Sequence, residues 1–450
     1  MRRYFFFILL GTSLTGAAPG PKPHPQIAGV VSEISAQKIE ASIRKLVSFG
    51  TRHTLSDTTS EAHGIGAARR WLQAEFERYA KDSSGRLEVT MDEFTQPPGE
   101  RNPQPVQVVN VVATLPGEQA EARDRIYVVS GHYDSRVSDP MNATADAPGA
   151  NDDASGVAAV LEMARVMSKR KWDATLVFMA VAGEEQGLFG STHWAKMAQE
   201  KNWNVAGMIT NDIIGSSHAD DGKIDDQHVR LFAEGVPPLQ EMPAKWRQQT
   251  KTGGENDSPA RELARFIKTT GERYVPGMTV NIIYRKDRYL RGGDHSPFLE
   301  AGFAAVRLTE PNENFKHQHQ DVREEEGVQY GDLPEFDDFA YIAQVARINA
   351  ASLGALALAP AAPAGVEMET KELTNDTTLH WQENREPDLA GYEVLWRETT
   401  SPFWQHELST GQVTRFTVPR ISKDNFLFGV AAVDQDGNRS PAVYPAPSAK

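Results

Sequence analysis

Histidine and acidic residues recur in short segments spread through the middle of the chain. Three segments stand where an apolar run has just ended or a helical pattern is about to begin: His132 with Asp134, Asp152-Asp153, and Glu184-Glu185. A fourth, Asp212, lies near the end of an apolar run. A fifth segment, HQHQD, contains His317 and His319. Imidazole and carboxylate side chains together suit zinc and leave room for water. So many negative charges in one place would repel one another without cations, so the pattern predicts a metal centre.

Two metal ions fit this set of residues better than one. A single tetrahedral zinc has no use for five protein ligands. Two ions about 3.5–4 Å apart can share a carboxylate and generate a nucleophile from water at neutral pH. Taken singly, the segments have simpler explanations: Asp152-Asp153 could cap a helix, and the two histidines could be exposed loop residues. The joint occurrence at strand ends favours the metal interpretation.

The elements that must position these residues alternate between strands and helices, which predicts an α/β fold. Apolar runs at 125–130, 174–182, 205–214 and 303–308 read as strands, and 154–169 carries a helical apolar stripe. Run 174–182 is continuously apolar, as expected for a strand buried on both faces. We expect a three-layer, mostly parallel mixed sheet with helices on both faces. Its strands would deliver the polar residues to the carboxyl edge, where open α/β sheets bind ligands.

Six motifs carry a resemblance to a known family. In chain order they are SGHYDS (130–135), GANDDASG (149–156), AGEEQGLFGS (182–191), NDIIG (211–215), GGDHSPF (292–298) and HQHQD (317–321). Together they resemble the di-zinc exopeptidases of the bacterial leucyl aminopeptidase, aminopeptidase Y and glutamate carboxypeptidase II type. No single motif is specific, but their order covers nearly all of residues 35–350.

The resemblance implies a role for each matching residue. His132 and Asp212 would hold one Zn²⁺, Glu185 and the late histidine would hold the other, and Asp152 would bridge the two. Glu184 would be the general base. The remaining implied roles are outside the ligand set: orientation of His132 by Asp134, support of the base or substrate pocket by Asp294, and a cis peptide bond joining Asp152 to Asp153.

The last ligand is ambiguous within the HQHQD segment. The family usually has an H-x-x-x-D arrangement, which selects His317 through its spacing to Asp321. His319 lies two residues further on and could serve instead. We expect His317 and keep His319 as the alternative.

The resemblance predicts an aminopeptidase that hydrolyses N-terminal peptide bonds of peptides or proteins, using a metal-bridged hydroxide and a Glu general base. Two alternatives share the fold: a single-zinc glutaminyl cyclase, which also has an HYDS motif, and a carboxypeptidase. The intact NDDASG and GEEQGLFGS stretches favour the peptidase. No G-x-S-x-G nucleophile motif and no H-E-x-x-H zinc helix occurs in the sequence.

Composition excludes several other kinds of chemistry. The 450 residues include no cysteine, so disulfides, thiol nucleophiles and Cys-ligated metals are absent. The formal net charge is -14. An acidic chain argues against nucleic acid as a main partner, because phosphate binding depends on Lys and Arg contacts.

The two ends of the chain differ in character from the middle. Residues 1–18 combine two arginines, a short apolar run and small residues, a pattern typical of a secretory signal peptide, and predict a secreted or periplasmic protein without a membrane span. The catalytic domain is expected at 31–356, followed by an Ala/Pro linker at 357–365. Alternating runs within 366–446 resemble a fibronectin type III domain, an immunoglobulin-like β-sandwich that could contact a surface or polymer.

Overall fold

The computed structural model describes residues 23–236, 244–289 and 291–448. The predicted signal peptide therefore lies outside the described residues. Within these ranges, no helix has the length and apolar character needed to cross a membrane.

An eight-stranded mixed sheet forms the centre of the larger, N-terminal part of the chain. Its strands are β1 (Glu88–Gln96), β2 (Val106–Leu115), β3 (Arg125–His132), β4 (Thr175–Val181), β5 (Asn204–Asn211), β6 (His228–Ala233), β7 (Thr279–Ile283) and β8 (Ala305–Thr309). The spatial order is β1-β2-β4-β3-β5-β8-β6-β7. The four central strands β4, β3, β5 and β8 run parallel to one another. The predicted mostly parallel mixed sheet is confirmed.

The central strands are apolar on both sides because both faces of the sheet are covered. Every residue of β4 is buried. Successive residues of β4 enter different cores: Val177 packs with one hydrophobic cluster and Phe178 with the other. Since neighbouring side chains in a strand point to opposite faces, the two clusters lie on opposite sides of the sheet.

Helices supply the outer layers of this arrangement. They are α1 (Pro25–Glu33), α2 (Ala36–Val47), α3 (Gly64–Asp82), α4 (Gly156–Met167), α5 (Phe189–Glu200), α6 (Ala244–Thr250), α7 (Pro259–Tyr274), α8 (His295–Glu300) and α9 (Phe339–Leu358). Helices α5 and α8 pack on one face through Trp194 and Phe298. Helices α1 to α4, α7 and α9 cover the other face. The three-layer prediction is thereby confirmed.

Short elements complete this part of the chain. A π-helical turn (Ala150–Ser155) precedes α4, and 3₁₀ turns occupy Gly254–Asn256 and Pro334–Phe336. A small hairpin is formed by β9 (Arg323–Glu325) and β10 (Val328–Tyr330).

The C-terminal part is a two-sheet β module. Its strands are β11 (Glu367–Met368), β12 (Thr377–His380), β13 (Leu389–Glu398), β14 (His406–Gly411), β15 (Arg415–Val418), β16 (Phe426–Asp434) and β17 (Ala446–Pro447). One sheet has the order β15-β12-β11-β17 and the other β14-β13-β16. Leu379 of the first sheet and Trp381, which follows β12, share a buried cluster with Val394 and Phe428 of the second sheet. Two sheets packed over one core agree with the expected sandwich.

Buried ion pairs connect the module to the larger part. Arg397 on β13 donates from Nη2 to both carboxylate oxygens of Asp257, at 2.7 and 2.8 Å. Arg125 at the start of β3 donates to Glu386 at 3.0 Å and to the Ala359 carbonyl at 2.6 Å. The predicted linker segment is thus held against the larger part of the chain near Ala359.

Candidate metal centre

Three adjacent parallel strands place acidic and histidine side chains at one edge of the sheet. His132 is the last residue of β3, Glu184 and Glu185 follow β4, and Asp212 follows β5. His132 pairs with Val181 across the two strands, so their ends are level. Asp152 joins them from the turn between β3 and α4. The carboxyl edge of the sheet is therefore the site predicted from the sequence.

The first group of potential ligands is formed by His132, Asp152 and Asp212, all of them buried. His132 Nε2 lies 3.1 Å from Asp152 Oδ1 and 3.9 Å from Asp212 Oδ1. These distances place one imidazole and two carboxylates around a common point.

The second group is formed by Asp152, Glu185 and His319. His319 Nε2 lies 2.9 Å from Asp152 Oδ2 and 2.8 Å from Glu185 Oε1. Asp152 therefore directs one carboxylate oxygen to each group, which is the arrangement of a bridging ligand.

The structure brings His319, and not the expected His317, to the second group of potential ligands. The ring of His317 stacks on Phe336, with ring centroids 3.7 Å apart. Asp321, whose spacing favoured His317, accepts hydrogen bonds from Ser138. His319 has a backbone φ of 54°, a left-handed conformation uncommon outside glycine but several-fold enriched in histidine.

Asp134 holds the first histidine and the Glu184-Glu185 turn together. His132 Nδ1 lies 3.2 Å from the Asp134 carbonyl oxygen and 3.6 Å from Oδ1. The Asp134 carboxylate also accepts hydrogen bonds from the backbone N–H groups of Glu184 and Glu185, at 3.3 and 3.2 Å. This agrees with its expected role of orienting His132.

Asp153 is a backbone anchor rather than a member of either group. The Asp152–Asp153 peptide bond is cis, as the resemblance implies. Asp153 accepts hydrogen bonds from the N–H of His132 at 2.9 Å and from that of Gly156 at 3.0 Å. It therefore connects the end of β3 to the start of α4.

The electrostatics of the site fit divalent cations. His132 Nε2 is buried and has no hydrogen-bond partner among the described residues, although two carboxylates face it. Burial alone would lower the pKa of His132, but Asp134 and Asp152 hold this pKa well above its usual value. Burial raises the pKa of Asp212, which Arg307 only partly opposes. The donor set, nitrogen and oxygen without sulfur, is one that zinc accepts.

Glu184 and Asp294 are carboxylates near the site that belong to neither group. Burial raises the pKa of Glu184 well above its usual value, and the charges of Asp212 and Glu185 add to this effect. Burial likewise raises the pKa of Asp294 to about 7. Both Asp294 oxygens are buried without a hydrogen-bond partner in the described part of the chain. Glu184 lines the open cavity over the groups, whereas Asp294 does not.

Several residues at the site were not identified from the sequence: Arg307, Arg136 and Asp332 lie outside the six motifs, and Gln318 lies within HQHQD. Arg307, fully buried on β8, lies 2.9 Å from Asp212 Oδ1. Arg136 donates from Nε to Glu185 Oε2 at 2.9 Å. Asp332 accepts the backbone N–H of Asp152 at 2.7 Å, and Gln318 donates to Asp152 Oδ2 at 3.1 Å. Each comes from a part of the chain distant in sequence from its partner, so only the tertiary fold brings it into contact.

Comparison with known proteins agrees with this geometry. A sequence model described as Peptidase family M28 matches residues 110–330. A protein of Leptosphaeria maculans named probable zinc metalloprotease is 52% identical over 427 residues, covering 95% of this chain and 98% of that protein.

Solved structures share the fold at low sequence identity. The LapA aminopeptidase of Legionella pneumophila has a TM-score of 0.52 and 19% identity, over 78% of both chains. A glutaminyl cyclase of Porphyromonas gingivalis has a TM-score of 0.50 and 16% identity, over 71% of this chain and 98% of that one. With half of its residues shared over nearly the whole length of the Leptosphaeria maculans relative, and with the match to the family's own sequence model, this chain belongs to peptidase family M28.

Proposed function

We propose that the protein is a di-zinc aminopeptidase. The observation that carries the proposal is the position of Asp152 between two ligand groups, with Oδ1 beside His132 and Oδ2 beside His319. One shared carboxylate between two three-residue groups suits a pair of divalent ions. The name of the Leptosphaeria maculans relative supports zinc as the metal, and the LapA aminopeptidase supports the reaction class.

Zinc bound at the two groups would supply Lewis-acid activation of water and of the substrate carbonyl. Glu184 has the position of a proton carrier, because it lines the cavity beside Glu185 without belonging to a ligand group. Its carboxylate takes a proton from the attacking water as the water oxygen bonds to the carbonyl carbon. The same proton then passes to the nitrogen as the C–N bond breaks.

The positions of the other residues serve this step. Asp134 fixes His132 through Nδ1, which leaves Nε2 to face Asp152 and Asp212. Its carboxylate also holds the backbone of Glu184 and Glu185. The buried Asp134 therefore positions both a proposed metal ligand, His132, and the proposed general base, Glu184.

Glutaminyl cyclase is the second candidate, since such an enzyme shares the fold. A single-zinc enzyme would need only one of the two groups. The presence of a complete second group, Asp152, Glu185 and His319, favours the peptidase. Zinc content of the purified protein discriminates: two ions per chain support the peptidase and one supports the cyclase.

The proposal is tested by the Glu184→Gln variant, with Glu185→Gln as the matched control. Glu184→Gln should keep both zinc ions and lose about 10²–10⁴-fold in kcat on aminoacyl anilides, because a general base typically contributes that much. Glu185→Gln should lose metal as well as rate. Near-native turnover of Glu184→Gln would contradict the assigned role.

The direction of attack on the peptide is tested separately. A peptide with an acetylated N-terminus should resist hydrolysis, while the same peptide with an amidated C-terminus should be cleaved. The opposite pattern would identify a carboxypeptidase.

We also propose that the protein is exported, on the basis of the signal-like pattern of residues 1–18. N-terminal sequencing of protein recovered from outside the producing cells should begin after residue 18.

A further inference from the structure

The ligand groups open into a cavity of about 290 Å³ whose remaining charged lining is basic. The carboxylates that line it are Asp152, Glu184, Glu185 and Asp212. All four are already assigned to metal binding or proton transfer. The cations that line it are Arg101, Arg136, Arg288 and Arg291.

Two of these arginines are committed to Glu185. Arg136 donates from Nε to the Glu185 carboxylate at 2.9 Å, and Arg101 donates from Nη1 to the Glu185 carbonyl at 2.7 Å. Their geometry supports the turn that carries this ligand, so they have a structural role.

The other two arginines follow β7 and converge on a single buried carboxylate. Arg288 and Arg291 donate from Nη1 to the same oxygen of Glu313, at 3.1 and 2.9 Å. Arg230 donates to the other Glu313 oxygen at 2.9 Å. Burial would raise the pKa of Glu313, but the three arginines lower it to about 2, so this carboxylate is ionised at neutral pH. Three positive charges thus share one negative charge.

Neighbouring carboxylates do not remove the excess. Asp287 accepts from Arg288 Nε at 3.1 Å and from Arg307 at 3.2 Å, and Arg307 also pairs with Asp212. The side-chain hydrogen bonds of Arg288 come from Nε and Nη1, and that of Arg291 comes from Nη1, so among the described residues Nη2 of each has no protein partner. The side chains of Arg288 and Arg291 are 10% and 35% exposed. Donors that line the cavity and are partly shielded from water favour an anionic ligand group over solvent.

We propose that Arg288 and Arg291 bind a carboxylate of the substrate. Guanidinium groups match a carboxylate in charge and in planar hydrogen-bond geometry. The carboxylate could belong to an acidic side chain beside the scissile bond or to the free C-terminus of a short peptide, and the experiment separates these sources. The inference rests on the proposed peptidase function and adds its substrate class.

The experiment compares kcat/KM within matched pairs of substrates. The first pair is the anilide of glutamate and the anilide of glutamine; the second is dialanine and dialanine amide. The variants are Arg291→Gln and, as a second probe, Arg288→Gln. Arg285→Gln is the matched control, because Arg285 lies on the same segment, is exposed, and stacks on Tyr289 instead of lining the cavity.

The wild-type enzyme should prefer the charged member of one pair by about 10- to 100-fold, the usual effect of a charge-assisted hydrogen-bond pair. The preferred pair identifies the source of the carboxylate. Arg291→Gln should abolish that preference by lowering kcat/KM for the charged substrate more than for its neutral counterpart. Arg285→Gln should retain the preference.

Equal rates within both pairs for the wild-type enzyme would overturn the inference. The inference would also be overturned if Arg291→Gln and Arg288→Gln lower kcat/KM equally for charged and neutral substrates, since that result indicates a structural role. If no member of either pair is hydrolysed by zinc-loaded enzyme, the proposed peptidase function fails instead.

Discussion

Replacing His319 with alanine is expected to remove one of the two proposed zinc ions, whereas replacing His317 should leave both in place. His319 is one of three residues in the second ligand group, with Asp152 and Glu185. Asp152 is shared with the first group, so the variant leaves Glu185 as the only residue devoted to the second ion. Loss of an outer partner of a metal ligand typically costs about 10–100-fold in affinity, and loss of the ligand itself should cost more.

His317 is the matched control because it lies in the same loop and has the same side chain. Its ring contacts Phe336 and not the carboxylates. His317→Ala should therefore lose only a stacking contact, worth about 0.5–1.5 kcal/mol in the free energy of unfolding. A small decrease in melting temperature with unchanged metal content is the expected result.

The assay is zinc content per chain after equilibrium dialysis against a buffered zinc concentration, with hydrolysis of a neutral anilide measured in parallel. Wild type and His317→Ala should hold about two ions, and His319→Ala about one, because only the first group is left intact. The reasoning is refuted if His317→Ala loses an ion while His319→Ala keeps both.

Three further perturbations follow from the buried charges. Glu313→Gln should lower the free energy of unfolding by about 3 kcal/mol at pH 7, since the folded pKa of Glu313 is about 2 against an ordinary 4.5. This stabilisation is fully present above pH 4.5 and is lost as the pH falls toward 2. The free energies of unfolding of metal-free wild type and variant, measured with urea, should therefore converge over that interval. Arg397→Ala removes one buried partner of Asp257 and should lower the free energy of unfolding by about 3–5 kcal/mol. The kcat of the folded fraction should be unchanged. An unchanged melting temperature would show that this contact does not hold the C-terminal module. Asp134→Asn should weaken zinc binding by about 10–100-fold, which a competitive chelator titration measures, and unaltered affinity would exclude Asp134 from orienting His132.

Most of the site could be predicted because sequence order and parallel strands together determine proximity. The apolar run around Thr175–Val181 predicts a strand buried on both faces, and the residues after it must lie at the carboxyl edge of the sheet. His132 ends one strand of the parallel set, and Glu185 and Asp212 follow two others, so their convergence is a consequence of topology. The six motifs then identify which of the polar residues belong together.

The choice between His317 and His319 could not be made in this way. Both residues lie in a loop with no regular period, so spacing carries little information about direction. The outcome depends on the left-handed backbone at His319 and on the ring contact between His317 and Phe336. The ring contact joins the loop to the turn at Pro334–Phe336, a tertiary contact that local sequence does not specify.

The contacts made by the buried arginines could not be predicted from the sequence either. Arg288 and Arg291 meet Glu313 across more than twenty positions, and Arg397 meets Asp257 across 140. Charged residues in loops show no periodicity that would mark them as buried. Only the tertiary structure distinguishes them from solvated surface charges.

The net charge of this protein and the charges that line its cavity therefore affect different kinds of binding. A net charge of -14 argues against polyanionic partners, which contact many phosphates over a large surface. That charge is screened beyond about 8–10 Å at ordinary ionic strength, so it has little effect on a group already inside the cavity. There the substrate meets Arg288 and Arg291, whose charges Glu313 only partly offsets. An acidic protein can thus bind a carboxylate of its substrate, because specificity depends on the few charges within hydrogen-bond distance.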